Sequence, residues 1–138
     1  MMTPESKDAL TAPFWSAAAR NELHISHCDS CNKDIWYPEE QCPDCHGSLS
    51  WRRLNGAATL LSWTTVRRQI NGSFEVPYTP AIVIPDDAPG VQLVTQLFLP
   101  DGQEPYCDMP LQVAFEELKP LQGEPFVAPV FRLRETAP

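Results

Sequence analysis

Four cysteines carry the clearest chemistry in the chain. Cys28 and Cys31 are separated by two residues, ten residues follow, and Cys42 and Cys45 repeat the spacing. Two residues between cysteines let one tight turn aim both sulfurs at a single ion, with backbone N–H groups donating to the thiolates. Two such knuckles on adjacent hairpins give a tetrahedral four-sulfur shell. Asn32 follows the first knuckle and His46-Gly47 the second, at positions where a left-handed backbone is often needed. Zinc is the expected metal, one ion per chain, and iron, as in rubredoxin, is the alternative for a four-cysteine ribbon. The shell has no open position, so the metal is expected to be structural rather than a Lewis acid. His24, His27 and His46 lie nearby in sequence, but four cysteines already suffice, so the histidines are read as neighbours of the site or surface residues. The fifth cysteine, Cys107, sits in Pro105-Tyr106-Cys107-Asp108 with no adjacent base to activate it, and is read as structural.

The elements that position these sulfurs follow from pattern. Leu23 to His27 alternates and reads as a strand entering the first knuckle. Before it, Thr11-Ala12-Pro13 starts a short helix over residues 13–20, since proline fits a first turn. Phe14, Trp15, Ala18 and Ala19 are expected on one face, packed on the core or against a partner subunit. After the metal module come five strand-like runs at the spacing of a small barrel: Thr59 to Arg67, Ala81 to Ile84, Val91 to Leu99, Leu111 to Leu118 and Val127 to Leu133. Turns are expected at Asn55-Gly56, Asn71-Gly72 and Pro89-Gly90. The fold class is mainly β, with a short N-terminal helix, a metal ribbon and a five-stranded barrel. The boundaries expected are 1–22 for tail and helix, 23–50 for the ribbon and 51–138 for the barrel. Loose ends are expected over residues 1–11 and 135–138. Fifteen prolines against six glycines agree with little helix and short strands.

The chain has 138 residues and a net charge of −8. Such an acidic surface repels phosphate backbones. The cations are uneven, however: Arg52, Arg53, Arg67 and Arg68 lie in a segment from Trp51 to Phe74 that contains no acid. They are candidates for gripping phosphates, since arginine forks match phosphate oxygens; a solvated basic face is the plainer reading. No run of about 20 apolar residues suggests a membrane span, and Met1 to Leu10 lacks the pattern of a secretion signal. A cytoplasmic, reducing setting is expected, which suits thiolate ligands better than disulfides. Trp36-Tyr37-Pro38, between the knuckles, either covers the sulfurs or offers an aromatic contact to a partner.

The order of these parts resembles the DUF35 family. Pro13-Phe14-Trp15 resembles its helix start, and Cys28-x-x-Cys31 with Cys42-Pro43-x-Cys45 resembles its rubredoxin-like zinc ribbon. Asn55-Gly56 to Thr65 resembles its entry into an OB-fold barrel. Pro77-Tyr78 with Ala81-Ile82-Val83, and Met109-Pro110-Leu111-Gln112-Val113-Ala114-Phe115, resemble later strands. Asp108 departs from the pattern, standing where glycine is usual. The resemblance implies a non-catalytic accessory or scaffolding subunit of a thiolase-like complex (thiolase, aldolase or C-acyltransferase) working on acyl-CoA or another acyl donor. It implies catalytic residues on the thiolase-like partner and a heterotetramer or larger assembly. Within that reading, Phe14, Trp15, Trp36 and Tyr37 are candidate partner contacts. Arg52, Arg53, Arg67 and Arg68 are candidates for the phosphates of coenzyme A. The alternative is a nucleic-acid-binding ribbon and OB-fold module, with Trp63 or Phe74 stacking on bases; the net charge counts against it. A self-sufficient enzyme would have to use Cys107, which lacks an evident base.

Overall fold

The computed structural model describes residues 9–69 and 74–135. The expected turn at Asn71-Gly72, the first eight residues of the tail and residues 136–138 lie outside them. The chain is mainly β, with one short helix, a three-stranded ribbon sheet and a closed five-stranded barrel. The described residues hold no helix long and apolar enough to cross a membrane.

Helix α1 (Ala12–Ala19) carries proline in its first turn, where the missing N–H costs nothing. It buries Phe14, Ala17 and Ala18. Ala19, expected on that face, is exposed: the i, i+3, i+4 spacing from Phe14 reaches residues 17 and 18, not 19. The left-handed Asn21 (φ 62°) follows the helix, and the chain turns into β1 (Leu23–Cys28).

β1 is the centre of the ribbon sheet, flanked by β2 (Lys33–Ile35) and β3 (Ser50–Leu54), both antiparallel. Pairing of Leu23 with Leu54 through His27 with Ser50 makes β3 part of the ribbon sheet. The 50/51 boundary drawn from the sequence therefore falls inside a strand. β1 buries Leu23 and Ile25 on its inward face, and Ser26 beside Ile25 is buried as well. Leu23 and Ile25 share one hydrophobic cluster with Phe14, Leu54 and the barrel's inner residues.

The barrel is β4 (Ala57–Trp63), β5 (Pro80–Pro85), β6 (Leu93–Phe98), β7 (Pro110–Leu118) and β8 (Phe126–Leu133). It closes in the order β4-β5-β6-β8-β7. All pairs are antiparallel except β6 with β8, which run parallel at Leu97–Phe131 and Phe98–Arg132, as an OB-fold barrel requires. Each strand was expected within a few residues. The largest difference is β4, expected to reach Arg67. It ends at Trp63 after a bulge between Leu60 and Ser62, and only an isolated bridge, Val66 to Tyr78, continues the pairing. Thr64 and Thr65, polar and adjacent past Trp63, give the chain there no apolar face to hold it in a ladder.

Two turns explain specific residues. Gly56 has φ +90°, and a Cβ there would lie 2.4 Å from Val113 Cγ1, so both conformation and space demand glycine. Asp108 has φ +64° while its N–H bonds the Leu60 carbonyl at 2.9 Å. The left-handed turn is kept without glycine, because a short polar side chain tolerates that region.

Aromatic rings tie the parts together. Trp36 of the ribbon lies 5.1 Å from Phe14, which lies 4.9 Å from Trp15; Trp15 meets Phe126 of β8 at 5.6 Å. Phe126 continues to Phe74 and Phe74 to Tyr78. Phe14 is 6% exposed at the centre of this chain of rings. Phe14→Ala is expected to cost about 3–5 kcal/mol, read as a shifted urea midpoint; a loss under about 1 kcal/mol would show that the rings do not bind ribbon to barrel.

Candidate metal centre

The two knuckles are built alike. The residue after each second cysteine is left-handed, Asn32 at φ 52° and His46 at φ 61°. Of the pair His46-Gly47, histidine rather than glycine takes that conformation. Gly47 fits closely for a different reason: a Cβ there would lie 3.2 Å from Cys45 Sγ, a tight contact. N–H groups point at the sulfurs, from Cys31 to Cys28 and from Gly47 to Cys45, each at 3.4 Å. Cys42 anchors the second knuckle through its N–H to the Gly47 carbonyl and its carbonyl to the His46 N–H, both 2.9 Å.

All four sulfurs lie within 4.8 Å of one another. Cys28 and Cys45 are 3.6 Å apart, and Cys31 and Cys42 are 3.9 Å apart. Sulfurs about 2.3 Å from one tetrahedral ion would be about 3.8 Å apart, so the cluster fits a single zinc ion. Among the described residues no histidine or carboxylate joins it. Cys28 and Cys42 are fully buried, Cys31 and Cys45 are exposed, and beneath them lie Ile35 and Leu49. The histidines have other partners: His24 meets Glu22 at 2.9 Å and His27 meets Asp34 at 2.8 Å. Cys107 is exposed and stands apart from the cluster.

The thiols do not ionise alike in the metal-free chain. N–H donation from Cys45 and Asp44 brings Cys42 down to about 7. Hydrogen bonding with Cys45, then burial, pushes Cys31 up to about 12. Four thiolates crowd together only if a cation is among them. Zinc added to the metal-free protein at pH 7 is therefore expected to release about three to four protons per ion, measurable with a pH indicator in weak buffer. Release of one proton or none would contradict four-thiolate binding.

The arginines fall into two groups. Arg52 and Arg53 are on β3; Arg67 and Arg68 lie beyond the end of β4. Arg52 forks onto Asp34 of β2, Nε to Oδ1 at 2.7 Å and Nη2 to Oδ2 at 2.8 Å. The same Nη2 donates to the Asp87 carbonyl after β5 at 2.6 Å, and Asp87 Oδ2 accepts the Asn55 N–H at 2.9 Å. Arg52, expected as a candidate for phosphate, instead clamps ribbon to barrel. Sequence reasoning missed this because the fork joins residues 18 and 35 positions apart. Arg53, Arg67 and Arg68 are exposed, and Arg67 edges a groove of about 560 Å³ that Tyr78, Phe98, Asp101 and Glu104 also line. Of the four aromatic candidates, Phe14 is buried, Trp15 and Trp36 are half-buried, and Tyr37 is 47% exposed.

The Arg52 guanidinium, and after it the His27 ring, hold the Asp34 carboxyl below the usual carboxylate range against an opposing effect of burial. A depressed carboxylate stabilises the fold above its unfolded pKa, and that stability is lost as pH falls through the folded value. Asp34→Asn is expected to cost about 1.5–3 kcal/mol at pH 7, with the gap to wild type narrowing below about pH 4. A gap constant over pH 3–7 in denaturant titrations would contradict the clamp.

Comparison with known proteins agrees with this architecture. The family model described as the ChsH2 rubredoxin-like zinc ribbon domain matches residues 15–52. The model for the ChsH2 C-terminal OB-fold domain matches residues 51–116. A solved structure described as an Ltp2-ChsH2(DUF35) aldolase superposes with a TM-score of 0.80 at 24% identity, covering 94% of this chain and 98% of that one. A DUF35 protein of unknown function from Sulfolobus solfataricus superposes with a TM-score of 0.61 at 11% identity, covering 94% and 89%. At these identities the likeness is one of fold. No curated protein matches the chain.

Proposed function

Since the chain belongs to the DUF35 family of zinc-ribbon and OB-fold proteins, we propose that it is a non-catalytic, scaffolding subunit of a thiolase-like complex acting on acyl-CoA or a related acyl donor. The observation that carries this reading is the character of the one cluster of metal-binding side chains among the described residues: a closed four-sulfur shell. Such a shell stiffens a segment and offers no site for a substrate. The solved relative in which a ChsH2 DUF35 chain is named together with Ltp2 as an aldolase supports a partner enzyme subunit.

In this reading Cys28, Cys31, Cys42 and Cys45 hold one zinc ion, and the catalytic residues belong to the partner. Among the candidate aromatic contacts, Tyr37 has the exposure a docking residue needs. Of the four arginines, Arg52 is committed to Asp34, which leaves exposed Arg53, Arg67 and Arg68; Arg67 and Arg68, beyond the end of β4, are the pair proposed to face coenzyme phosphates, with Arg53 as a further candidate. Co-expression with a thiolase-like subunit is expected to give one species on size exclusion, with a mass of two chains of each kind and one zinc per copy of this chain. In that complex Arg67→Ala with Arg68→Ala is expected to weaken acyl-CoA binding about fivefold or more, read by calorimetry. Unchanged affinity would remove the coenzyme role. Failure of any thiolase-like subunit to bind, alongside salt-sensitive retention of single-stranded nucleic acid, would overturn the whole reading.

A further inference from the structure

An antiparallel barrel with one face on the core usually shows charged and polar side chains on its outer face. The segments Ala57–Trp63, Pro80–Pro85 and Leu93–Phe98, which are β4, β5 and β6, contain no charged residue at all. The other barrel strands do: β7 carries Glu116 and Glu117, and β8 carries Arg132. The outer face of β8 is covered, because Ala128 and Val130 form a second cluster with Phe74, flanked by Trp15, Tyr78 and Phe98. The second cluster reaches Phe98 at the end of β6, and Gln96 beside it is 4% exposed; from Val94 across Ile82 to Leu61 the outer face has no such cover among the described residues. Ile82 and Val94 stand directly opposite each other there, and Val94 is 52% exposed. The bulge in β4 falls between Leu60 and Ser62, and Leu61 within it is 40% exposed. Ser62, Trp63, Thr64, Pro80, Ile82 and Val94 line a shallow, largely apolar depression of about 270 Å³ on this face.

We propose that this outer face of β4, β5 and β6, centred on Ile82 and Val94, is where the thiolase-like subunit docks; the inference rests on the function proposed above. An uncharged apolar strip in a chain of net charge −8 is the kind of surface that marks an interface. Charge selects the occupant. Along the chain, β4 is followed within five residues of Trp63 by exposed Arg67 and Arg68, so a matching partner has an apolar centre and an anionic rim. A subunit carrying acyl-CoA supplies that rim through the coenzyme phosphates. A second copy of this chain fits poorly. Each copy brings eight net negative charges, and Asp86, past the far end of β5, is already held by Arg134 at 2.9 Å. It would not answer the arginines of a facing copy.

The test is affinity for the co-expressed thiolase-like subunit, with Val94→Glu and Leu61→Glu on the face and Leu121→Glu, at a position 53% exposed in the loop between β7 and β8, as control. Zinc content and the thermal midpoint report folding of each variant. Val94→Glu and Leu61→Glu are expected to weaken assembly about tenfold or more, and Leu121→Glu less than twofold. Wild-type affinity in both face variants, with the wild-type complex intact, overturns the docking face while leaving the proposed function standing. A wild-type chain that binds no thiolase-like subunit overturns both. A chain that dimerises alone and becomes monomeric on Val94→Glu assigns the face to a second copy and overturns the proposal.

Discussion

Four sulfurs within 4.8 Å of one another are the constraint from which the ribbon's order follows. The knuckle region has little core of its own: its one cluster is Cys28, Ile35 and Cys42, with Leu49 against them. A segment that small cannot offset its ordering entropy by burial, and a metal bond network takes the place of a core. The left-handed residues at Asn32 and His46 and the close fit at Gly47 make sense only as the backbone cost of aiming sulfurs inward. With the knuckles set, Ile35 and Trp36 are set too, and Trp36 is the first ring of the series that runs through Phe14 and Trp15 to the barrel.

The ribbon is held to the barrel by two chemically different devices. One is that series of rings, which is apolar and passes through the helix. The other is Arg52, polar and direct, bridging Asp34 in the ribbon and the Asp87 carbonyl beside the barrel. Together they join the metal module, helix and barrel into one body with a shared core. A prearranged body meets a partner without first paying to order its own loops. This suits the role proposed above, in which the chain contributes placement rather than bond making.

Much of this was legible in the sequence, and the failures are instructive. The paired cysteine spacing points to the metal because a local turn sets both members of each pair. The five barrel strands are legible because alternation and bounding prolines are local signals, and the short helix because its proline marks its start. What depends on distant residues was not legible. Arg52 reads as one of four similar cations until its fork finds Asp34. Phe14 reads as core, with partner contact as the alternative, until Trp36 and Trp15 close over it. Ala19 was placed on the buried face by an approximate helical period, and β4 was carried too far because Thr64-Thr65-Val66 has strand propensity without an apolar face. Asp108 stands where the resemblance leads one to expect glycine and still takes a left-handed backbone, which backbone geometry alone reveals.

The central claim is that this chain organises a reaction whose chemistry lies on another subunit. Acyl-CoA turnover by the thiolase-like subunit alone, by this chain alone, and by the two together tests it most directly. The account predicts no turnover from this chain alone and full turnover only from the mixture. Turnover by the isolated chain, or a partner equally active without it, would contradict the account.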